Sequence, residues 1–423
     1  MNWSYYNTII KRKGKNLLYN SLTNSFAEFT DKQFDVLLKI KNNEINTDNI
    51  DFNFLSQLKE AKILVESDED ERLKIDYLTN YNRFDRSRLE LTIFPTLDCN
   101  FRCSYCYETL QKIKMSDETL DDIITFIKKH KYIEEIYVTW MGGEPLLEFD
   151  SIKRLSMKIL DIGIPYDASL ITNGFLFNED IIKYLPSLKI SNVQITIDGL
   201  ENIHDSRRML SNGKGSFKTI VKNIHSIFNI NNKLPIHIRV NIDKNNEDEF
   251  ILLHQFLKSE FEDYPIYIVP AFVDDITNKN NKCNLDRLKQ INFLTKLYSK
   301  YNFKDFSFYP QNYNGECGIR NINSYNIGPS GEIYKCWNHV GNKDDVIGYI
   351  NQENWINPMK WITYIVGCDP MKDNECLKCK IYPICNGGCP DKRIKNNKKD
   401  FCSKFKGEGL HKLLNVYYDI KKE

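Results

Sequence analysis

Three closely spaced cysteines offer the clearest chemistry in this sequence. Cys99, Cys103 and Cys106 occur in the stretch PTLDCNFRCSYCYE with the spacing C-x3-C-x2-C, directly after the strand-like run LELTIF. A 4Fe–4S cube normally takes four cysteine thiolates, so three thiolates on one loop leave one iron able to bind another molecule. A structural zinc site usually takes four protein ligands, and this loop supplies three. The spacing therefore favours an iron–sulfur cluster over zinc.

A second group of cysteines lies after residue 310, where the sequence is rich in Cys, Gly, Asn and Pro and has few long apolar runs. Such a segment cannot build a large hydrophobic core, so we expect bound metal to stabilise it. From the residues alone a zinc ribbon is an alternative, because C-x2-C pairs are typical of that site. The candidate ligands are Cys317, Cys336, Cys376, Cys379, Cys385, Cys389 and Cys402.

Composition narrows the class of protein and its compartment. The 423 residues include 58 Lys plus Arg and 57 Asp plus Glu, so net charge does not indicate a nucleic-acid or membrane partner. The opening stretch MNWSYYNTIIKRKGK lacks the apolar core of a secretion signal, and no apolar run is long enough to span a bilayer. We therefore expect a cytoplasmic protein, in which clustered thiols favour metal binding or catalysis over disulfides.

From residue 88 onward, strand-like and helix-like stretches alternate, which predicts parallel βα units. The clearest helix is predicted over residues 116–130, with Ser116 as its N-cap. Six units are too few to close an eight-stranded barrel, so we predict an α/β fold with a partial (β/α)6 barrel. The six strand-like runs are LELTIFP, EIYVTWM, ASLIT, VQITID, IHIRVNI and PIYIVP.

Residues 1–85 are predicted to form a small α+β domain. The runs NLLYNS and SFAEF predict a hairpin, DKQFDVLLKI predicts a helix, and NFLSQLKEAKILVES predicts a second helix that runs into a short strand. The acidic run from Ser67 to Glu71 is either a solvated linker or a helix start. The predicted organisation is thus a domain over 1–85, the barrel over 86–309 and a cysteine-rich domain over 310–423.

Short polar and glycine-containing motifs follow the strand-like runs, where parallel βα folds gather their functional groups. Each motif alone is a common turn. One motif after each successive strand is much harder to obtain by chance. The motifs are Gly142-Gly143-Glu144-Pro145, Thr172-Asn173-Gly174 and Thr196-Ile197-Asp198-Gly199, followed by residues 204–208 (HDSRR) and 213–217 (GKGSF).

The cysteine loop closely resembles the signature of the radical S-adenosylmethionine family, including the aromatic Tyr105 before the third cysteine, and the later motifs agree over about residues 88 to 405. The resemblance implies that the free iron chelates the amino and carboxyl groups of S-adenosylmethionine and that an electron from the cluster generates a 5′-deoxyadenosyl radical. It implies that Glu144 contacts the amino group, and Arg208 is the candidate for the carboxylate. The residues assigned to this cofactor are Tyr105, Gly142, Gly143, Glu144, Pro145, Asn173, Thr196, Asp198 and Arg208.

The later cysteine spacing resembles the SPASM extension of this family, which carries two auxiliary 4Fe–4S clusters and brings the expected total to three. The resemblance implies that Cys317, Cys336 and Cys389 hold the first auxiliary cluster. It assigns the second to Cys376, Cys379, Cys385 and Cys402. Some relatives have an additional cysteine between the first two positions, so the first auxiliary cluster here either has an open iron or recruits Cys368. Cys283 is expected to be a bystander.

The resemblance implies peptide chemistry, because SPASM enzymes mostly modify peptides or proteins. The favoured function is a maturase that abstracts hydrogen from a ribosomally made peptide to form a thioether, a crosslink or an epimer. Residues 1–85 resemble leader-recognition elements, so a precursor peptide with a leader and a reductant such as flavodoxin or ferredoxin are the expected partners.

Three alternatives stay open at this point. One is an anaerobic sulfatase-maturing enzyme that forms formylglycine, and another is a non-catalytic zinc or iron–sulfur scaffold. The N-terminal region could also be a cap or a dimerisation unit. No His or Ser pattern identifies a catalytic base.

Overall fold

The computed structural model describes residues 1–273, 284–303, 308–312, 317–395 and 402–422, so Cys283 lies outside the described residues. Its contacts divide the chain into two compact units, each assembled from separate stretches of sequence. The first unit comprises Met1–Phe84, Asp286–Arg320 and Ile365–Glu423, and the second comprises Asp85–Leu285 and Asn321–Tyr364. In the described part of the chain, no helix is long and apolar enough to cross a membrane.

The strands of the described residues are short. In chain order they are β1 (Asn2–Trp3), β2 (Asn7–Arg12), β3 (Lys15–Asn20), β4 (Ser25–Phe29), β5 (Leu64–Val65), β6 (Arg88–Ile93), β7 (Glu135–Trp140), β8 (Tyr166–Thr172), β9 (Ile190–Thr196), β10 (Ile236–Ile242), β11 (Ile266–Phe272), β12 (Ser324–Ile327), β13 (Glu332–Tyr334) and β14 (Gly348–Tyr349).

The helices are longest in the first unit and around the barrel. They are α1 (Asp31–Lys41), α2 (Phe52–Glu60), α3 (Asp68–Phe84), α4 (Asp117–Lys129), α5 (Phe149–Leu160), α6 (Glu179–Tyr184), α7 (Glu201–Arg207), α8 (Phe217–Ile230), α9 (Phe250–Glu260), α10 (Arg287–Tyr301), α11 (Pro358–Ile362), α12 (Asn374–Leu377), α13 (Tyr382–Cys385), α14 (Pro390–Lys395) and α15 (Glu408–Lys422).

The second unit is built on a nine-stranded sheet with the order β11-β10-β9-β8-β7-β6-β12-β13-β14. The six strands from β6 to β11 pair in parallel with their sequence neighbours, which confirms the predicted α/β fold with six βα units. Strand β12 adds to β6 in parallel, and β13 and β14 continue the sheet with antiparallel pairs. Because all six parallel strands run the same way, their carboxyl ends meet at one edge.

Local sequence explains where the helices of this unit begin. Ser116 caps α4 as predicted, since its side chain accepts a hydrogen bond from Thr119 N. The apolar face of α4, which includes Leu120 and Ile123, is buried as the helical periodicity predicts. Alternate residues of β6, among them Leu89 and Leu91, are also buried, so helix and strand contribute to the core of the same unit.

The first unit has a three-stranded antiparallel sheet in the order β2-β3-β4 and a small β1–β5 pair. The predicted hairpin of NLLYNS and SFAEF forms as β3 and β4. Strand β2 pairs with the other side of β3, so the run NLLYNS lies in the middle of the sheet and offers no free edge. The acidic run forms the first turn of α3, which resolves the choice between linker and helix start in favour of a helix.

The amino-terminal hairpin and the carboxyl-terminal segment share one hydrophobic core in the first unit. Leu17 and Tyr19 are fully buried in a cluster that also contains Ile384, Leu410 and Leu414. Arg12 donates to the main-chain oxygen of Asn415 at 3.1 Å, across nearly the whole length of the chain. Helix α15, which carries Leu410 and Leu414, was not among the predicted elements.

Candidate active site

A cavity of about 520 Å³ opens at the carboxyl ends of the parallel strands in the second unit. It brings together most of the side chains predicted to hold the initiating cluster and S-adenosylmethionine. Asp198 and Pro145 lie outside its lining. The predicted residues that line it are Cys99, Cys103, Tyr105, Cys106, Gly142, Gly143, Glu144, Asn173, Thr196 and Arg208.

The cysteine loop is held in place by main-chain hydrogen bonds to the segment after α7. Arg102 N donates to the oxygen of Met209 at 2.8 Å, and Ser104 N donates to the oxygen of Arg207 at 2.9 Å. Phe101 also forms an isolated antiparallel bridge with Leu210. The HDSRR motif therefore serves as the backbone support of the loop that carries the three thiols.

Two glycines after β7 allow a close approach to the start of the same loop. A Cβ atom on Gly142 would lie 2.4 Å from the oxygen of Thr96, and Gly142 has a φ of +150°. A Cβ atom on Gly143 would lie 2.2 Å from the oxygen of Asp98. Since real Cβ atoms do not approach backbone oxygens so closely, only glycine fits at either position. The motif thus fixes the distance between β7 and the cysteine loop.

Glu144 is fully buried and connects two strand ends. Its Oε1 accepts hydrogen bonds from Leu146 N at 3.0 Å and Thr172 Oγ1 at 2.6 Å, and its Oε2 accepts one from Asn173 N at 2.8 Å. Burial raises the pKa of Glu144, and these hydrogen bonds oppose that rise. The carboxylate therefore holds the ends of β7 and β8 together while facing the cavity, and its contact with an amino group stays a prediction.

Tyr105 is the centre of a buried polar network. Its hydroxyl donates to Asp198 Oδ2 and accepts from Arg208 Nη1 at 2.6 Å and Asn241 Nδ2 at 3.1 Å. Arg207 lies over its ring, with the guanidinium carbon 5.0 Å from the ring centre. Asp198 therefore positions the aromatic residue of the loop from behind, which explains why it does not line the cavity.

The two adjacent arginines have different environments. Arg207 donates to both carboxylate oxygens of Asp243 at 3.0 and 2.9 Å, and its Nε lies 3.4 Å from Asp198. Arg208 lines the cavity, and its buried Nε has no hydrogen-bond partner among the described residues. A buried donor without a partner is costly, so an anionic group in the cavity would satisfy it. This geometry fits the carboxylate role predicted for Arg208.

The three loop thiols are buried enough to remain protonated when no metal is bound. Burial raises the pKa of Cys99 to about 12 and that of Cys106 to about 11, and it raises the pKa of Cys103 as well. Within the described ranges, no set of three or more His, Cys, Asp or Glu side chains is arranged around one metal ion. A cube presents a separate iron to each thiolate, so thiols that line a common cavity fit such a cluster.

Several cavity residues were not predicted from the sequence. Glu108 faces the cavity, and burial raises its pKa to about 8, with the charge of Glu144 adding to the rise. Arg239 and Asn241 also line it, and Arg239 Nε donates to Asn241 Oδ1 at 2.9 Å. These two residues alternate along β10, so polar residues at every second position of IHIRVNI were an available signal.

The first unit contains a second cavity, which the structure lines with four of the predicted auxiliary ligands. We call it the four-cysteine cavity; its lining includes Cys376, Cys379, Cys385 and Cys402. Burial raises the pKa of Cys376, Cys379 and Cys385. The four thiols occur at one place although 26 residues separate the first from the last. Their role as cluster ligands stays a prediction.

The predicted ligands of the first auxiliary cluster belong to different units. Cys317 and Cys389 are in the first unit, and Cys336 is in the second, where it precedes the cavity-lining Trp337 and Asn338. Cys368 is buried in the first unit. Gly331, five residues before Cys336, has a φ of +83° in the turn between β12 and β13. The assignment of this ligand set stays a prediction.

After anaerobic reconstitution we expect about 12 iron atoms per chain, from three cubes of four irons each. Iron and acid-labile sulfide analysis measures this directly. Replacing Cys379 and Cys402 with alanine should remove about four of those irons, whereas Cys283→Ala should remove none. About four irons in the wild-type protein, together with stoichiometric zinc, would instead favour the zinc-stabilised scaffold.

Residues 93–257 match the Radical SAM superfamily, the region that contains the cysteine loop and most of the cavity. The chain therefore carries a radical SAM domain, and the resemblance predicted from the cysteine loop is confirmed. Such a domain implies a 4Fe–4S cluster and S-adenosylmethionine as cofactors. The cysteine-rich segment agrees with the predicted SPASM extension.

Individual relatives are maturases. The chain is 26% identical over 364 residues to the cysteine-type anaerobic sulfatase-maturating enzyme of Clostridium novyi (strain NT), covering 75% of this chain and 93% of that protein. Native anSMEcpe with bound AdoMet and Cp18Cys peptide shares the fold, with a TM-score of 0.61, 19% identity and coverage of 79% and 98%. SuiB of Streptococcus suis bound to precursor peptide SuiA has a TM-score of 0.53, 16% identity and coverage of 95% and 98%.

Proposed function

We propose that this protein is a radical S-adenosylmethionine maturase of a ribosomally made peptide, which abstracts hydrogen to form a thioether, a crosslink or an epimer. The observation that carries the proposal is the shared lining of one cavity by three thiols and by Arg208 with its unpartnered Nε. The likeness to SuiB over 95% of this chain supports a peptide substrate, because that structure contains a precursor peptide. The proposed location is a reducing cytoplasm, with flavodoxin or ferredoxin as electron donor.

When bound, the initiating cluster and S-adenosylmethionine supply a 5′-deoxyadenosyl radical. The chain's own residues bind and orient these groups. The loop thiols hold the cluster, Arg208 pairs with the methionine carboxylate, and Tyr105 keeps Arg208 aimed into the cavity through its 2.6 Å hydrogen bond. The cavity walls shield the reacting atoms from water and so limit side reactions.

A sulfatase-maturing activity is the second candidate, and the similarity to the Clostridium novyi enzyme favours it. That alignment covers 75% of this chain, whereas the likeness to SuiB covers 95%. The difference supports the peptide maturase, because a leader-recognising enzyme needs a region beyond the catalytic domain. Mass spectrometry decides between them: coexpression with a peptide encoded beside this gene should give a mass change, and a sulfatase peptide should not.

A groove in the first unit is a better candidate for leader binding than the predicted hairpin edge, because NLLYNS is a central strand. The groove has a volume of about 710 Å³ and runs between β5 and α3. Apolar residues such as Leu64, Ile75 and Leu78 alternate in its lining with Lys62, Lys74 and Asp70. Such a mixed lining suits an extended or helical peptide with apolar anchors and charged flanks.

Substitutions in this groove should weaken binding of a leader-bearing peptide. Leu78 and Tyr81 are 45% and 62% exposed in the groove lining, so Leu78→Asp with Tyr81→Ala should fold normally and reduce peptide affinity about tenfold or more. Fluorescence anisotropy with a labelled precursor measures the affinity. Leu73→Ala is the matched control, because Leu73 is 60% exposed on the same helix and outside the groove.

Uncoupled cleavage of S-adenosylmethionine should be unchanged in the groove variant, since the groove and the catalytic cavity belong to different units. Point substitutions are preferable to deletion of residues 1–80, because Leu17 and Tyr19 share a core with the carboxyl-terminal helix. If the double variant modifies the peptide as fast as the wild type does, the region is a structural cap, and the sulfatase-maturing alternative gains support.

A further inference from the structure

Two cationic side chains contact thiols of the four-cysteine cavity. Arg393 Nη1 lies 3.3 Å from Cys376 Sγ, and Lys406 Nζ lies 3.4 Å from Cys402 Sγ. Both distances are within hydrogen-bond range for a sulfur acceptor. Each cation therefore adds a positive charge and a donated hydrogen bond next to a sulfur atom that the sequence assigns to a cluster.

Arg393 is fixed in this position by further contacts. Its Nη2 donates to Asp373 Oδ2 at 2.8 Å, and its Nη1 also approaches the oxygen of Gly387 at 3.3 Å. The side chains of Arg393 and Asp373 are only 8% and 13% exposed. Asp373 in addition caps α12 by accepting from Cys376 N at 3.4 Å. One carboxylate thus positions both the thiol and the cation that contacts it.

The initiating loop shows a different donor. Cys99 Sγ accepts a hydrogen bond from the backbone amide of Phe101 at 3.4 Å, and an amide carries no net charge. Reduction adds a negative charge to an iron–sulfur cluster, so nearby cations and hydrogen bonds to its sulfurs stabilise the reduced form. The four-cysteine cavity has the environment that favours reduction.

We propose that Arg393 and Lys406 raise the one-electron reduction potential of an auxiliary cluster in the four-cysteine cavity. This inference rests on the proposed function, because it requires that the cluster be present. Arg393 has the larger effect, since its contact is buried. Lys406 is exposed, so salt screens its contribution. Both are positioning residues: they act through the cluster and do not touch the substrate.

An electron paramagnetic resonance redox titration of the reconstituted protein tests the proposal. Titanium(III) citrate supplies the electron, and alanine at all three loop cysteines removes the signal of the initiating cluster. In that background, Arg393→Gln should lower the ratio of reduced to oxidised auxiliary cluster about tenfold at a fixed solution potential. Lys406→Gln should lower it less, and the effect should shrink at high salt.

Two variants serve as controls. Arg12→Gln removes an arginine that pairs with Asp419 in the same unit, so it should leave the ratio unchanged. Arg393→Lys retains the charge but cannot reproduce the forked contact to Asp373 and Cys376, so it should give an intermediate ratio. Iron analysis of each variant shows whether its clusters are complete.

Unchanged ratios in variants of full iron content would overturn the proposal. If Arg393→Gln loses iron, the Lys406→Gln and Arg393→Lys ratios decide, and wild-type values in both would be equally decisive against it. A wild-type protein with about four irons and no auxiliary signal would overturn the proposed auxiliary cluster itself. The two failures are therefore distinguishable.

Discussion

Alanine at Cys99, Cys103 or Cys106 should abolish the formation of 5′-deoxyadenosine under reducing, anaerobic conditions. The three thiols line one cavity, and each would ligate a separate iron of the cube. Removing one thiolate leaves an iron without its protein ligand, so the cluster should be lost rather than weakened. Chromatographic assay of 5′-deoxyadenosine should give background values, and iron analysis should show about four fewer atoms than the wild type.

Cys283→Ala is the matched control for this series, because Cys283 stands outside both cysteine groups in the sequence. That variant should produce 5′-deoxyadenosine at the wild-type rate. Normal production by any one of the three loop variants would end the claim that these thiols hold the initiating cluster.

Arg208→Ala should weaken the binding of S-adenosylmethionine by roughly ten- to a hundred-fold. Loss of a charge-assisted hydrogen bond costs on the order of 1.5–3 kcal/mol, and about 1.4 kcal/mol corresponds to a factor of ten. The buried Nε of Arg208, which has no partner in the described part of the chain, is the group expected to meet the carboxylate. Equilibrium dialysis with labelled S-adenosylmethionine measures the affinity.

Two further arginines make this test specific. Arg239 also lines the cavity but is exposed, so Arg239→Gln should retain near-normal affinity. Arg207 is occupied by Asp243 and Asp198, so it is unsuited to replace its neighbour as the carboxylate ligand. Unchanged affinity in Arg208→Ala would show that the carboxylate binds elsewhere, and a large loss in Arg239→Gln would identify where.

The elements that carry the site were predictable because their signals are local. Each strand from β6 to β11 is an apolar run that ends in a short polar or glycine motif, and the parallel arrangement then brings those ends together. Gly142 and Gly143 illustrate the limit of this reasoning. Their presence indicated a turn, whereas the need for them comes from backbone oxygens of Thr96 and Asp98 more than 40 residues earlier.

Other features depend on contacts that local patterns do not contain. Tyr105 and Asp198 are 93 positions apart, so their hydrogen bond follows from the tertiary fold alone. Helix α15 did have a local signal, the apolar spacing of Leu410, Leu413 and Leu414, but the surrounding cysteine-rich composition drew attention away from it. Strand β2 was missed because NTIIKR has only two consecutive apolar residues, and its burial comes from pairing with β3.

The discontinuous first unit has a consequence for biosynthesis. Leu17 and Tyr19 leave the ribosome early, yet their packing partners Leu410 and Leu414 are among the last residues to be made. The second unit draws its parallel strands from residues 88–272, so its sheet can begin to assemble while the amino-terminal hairpin still lacks its core. Until synthesis ends, that hairpin exposes apolar surface, which makes it a natural client for chaperones and makes carboxyl-terminal truncation damaging at the opposite end of the chain.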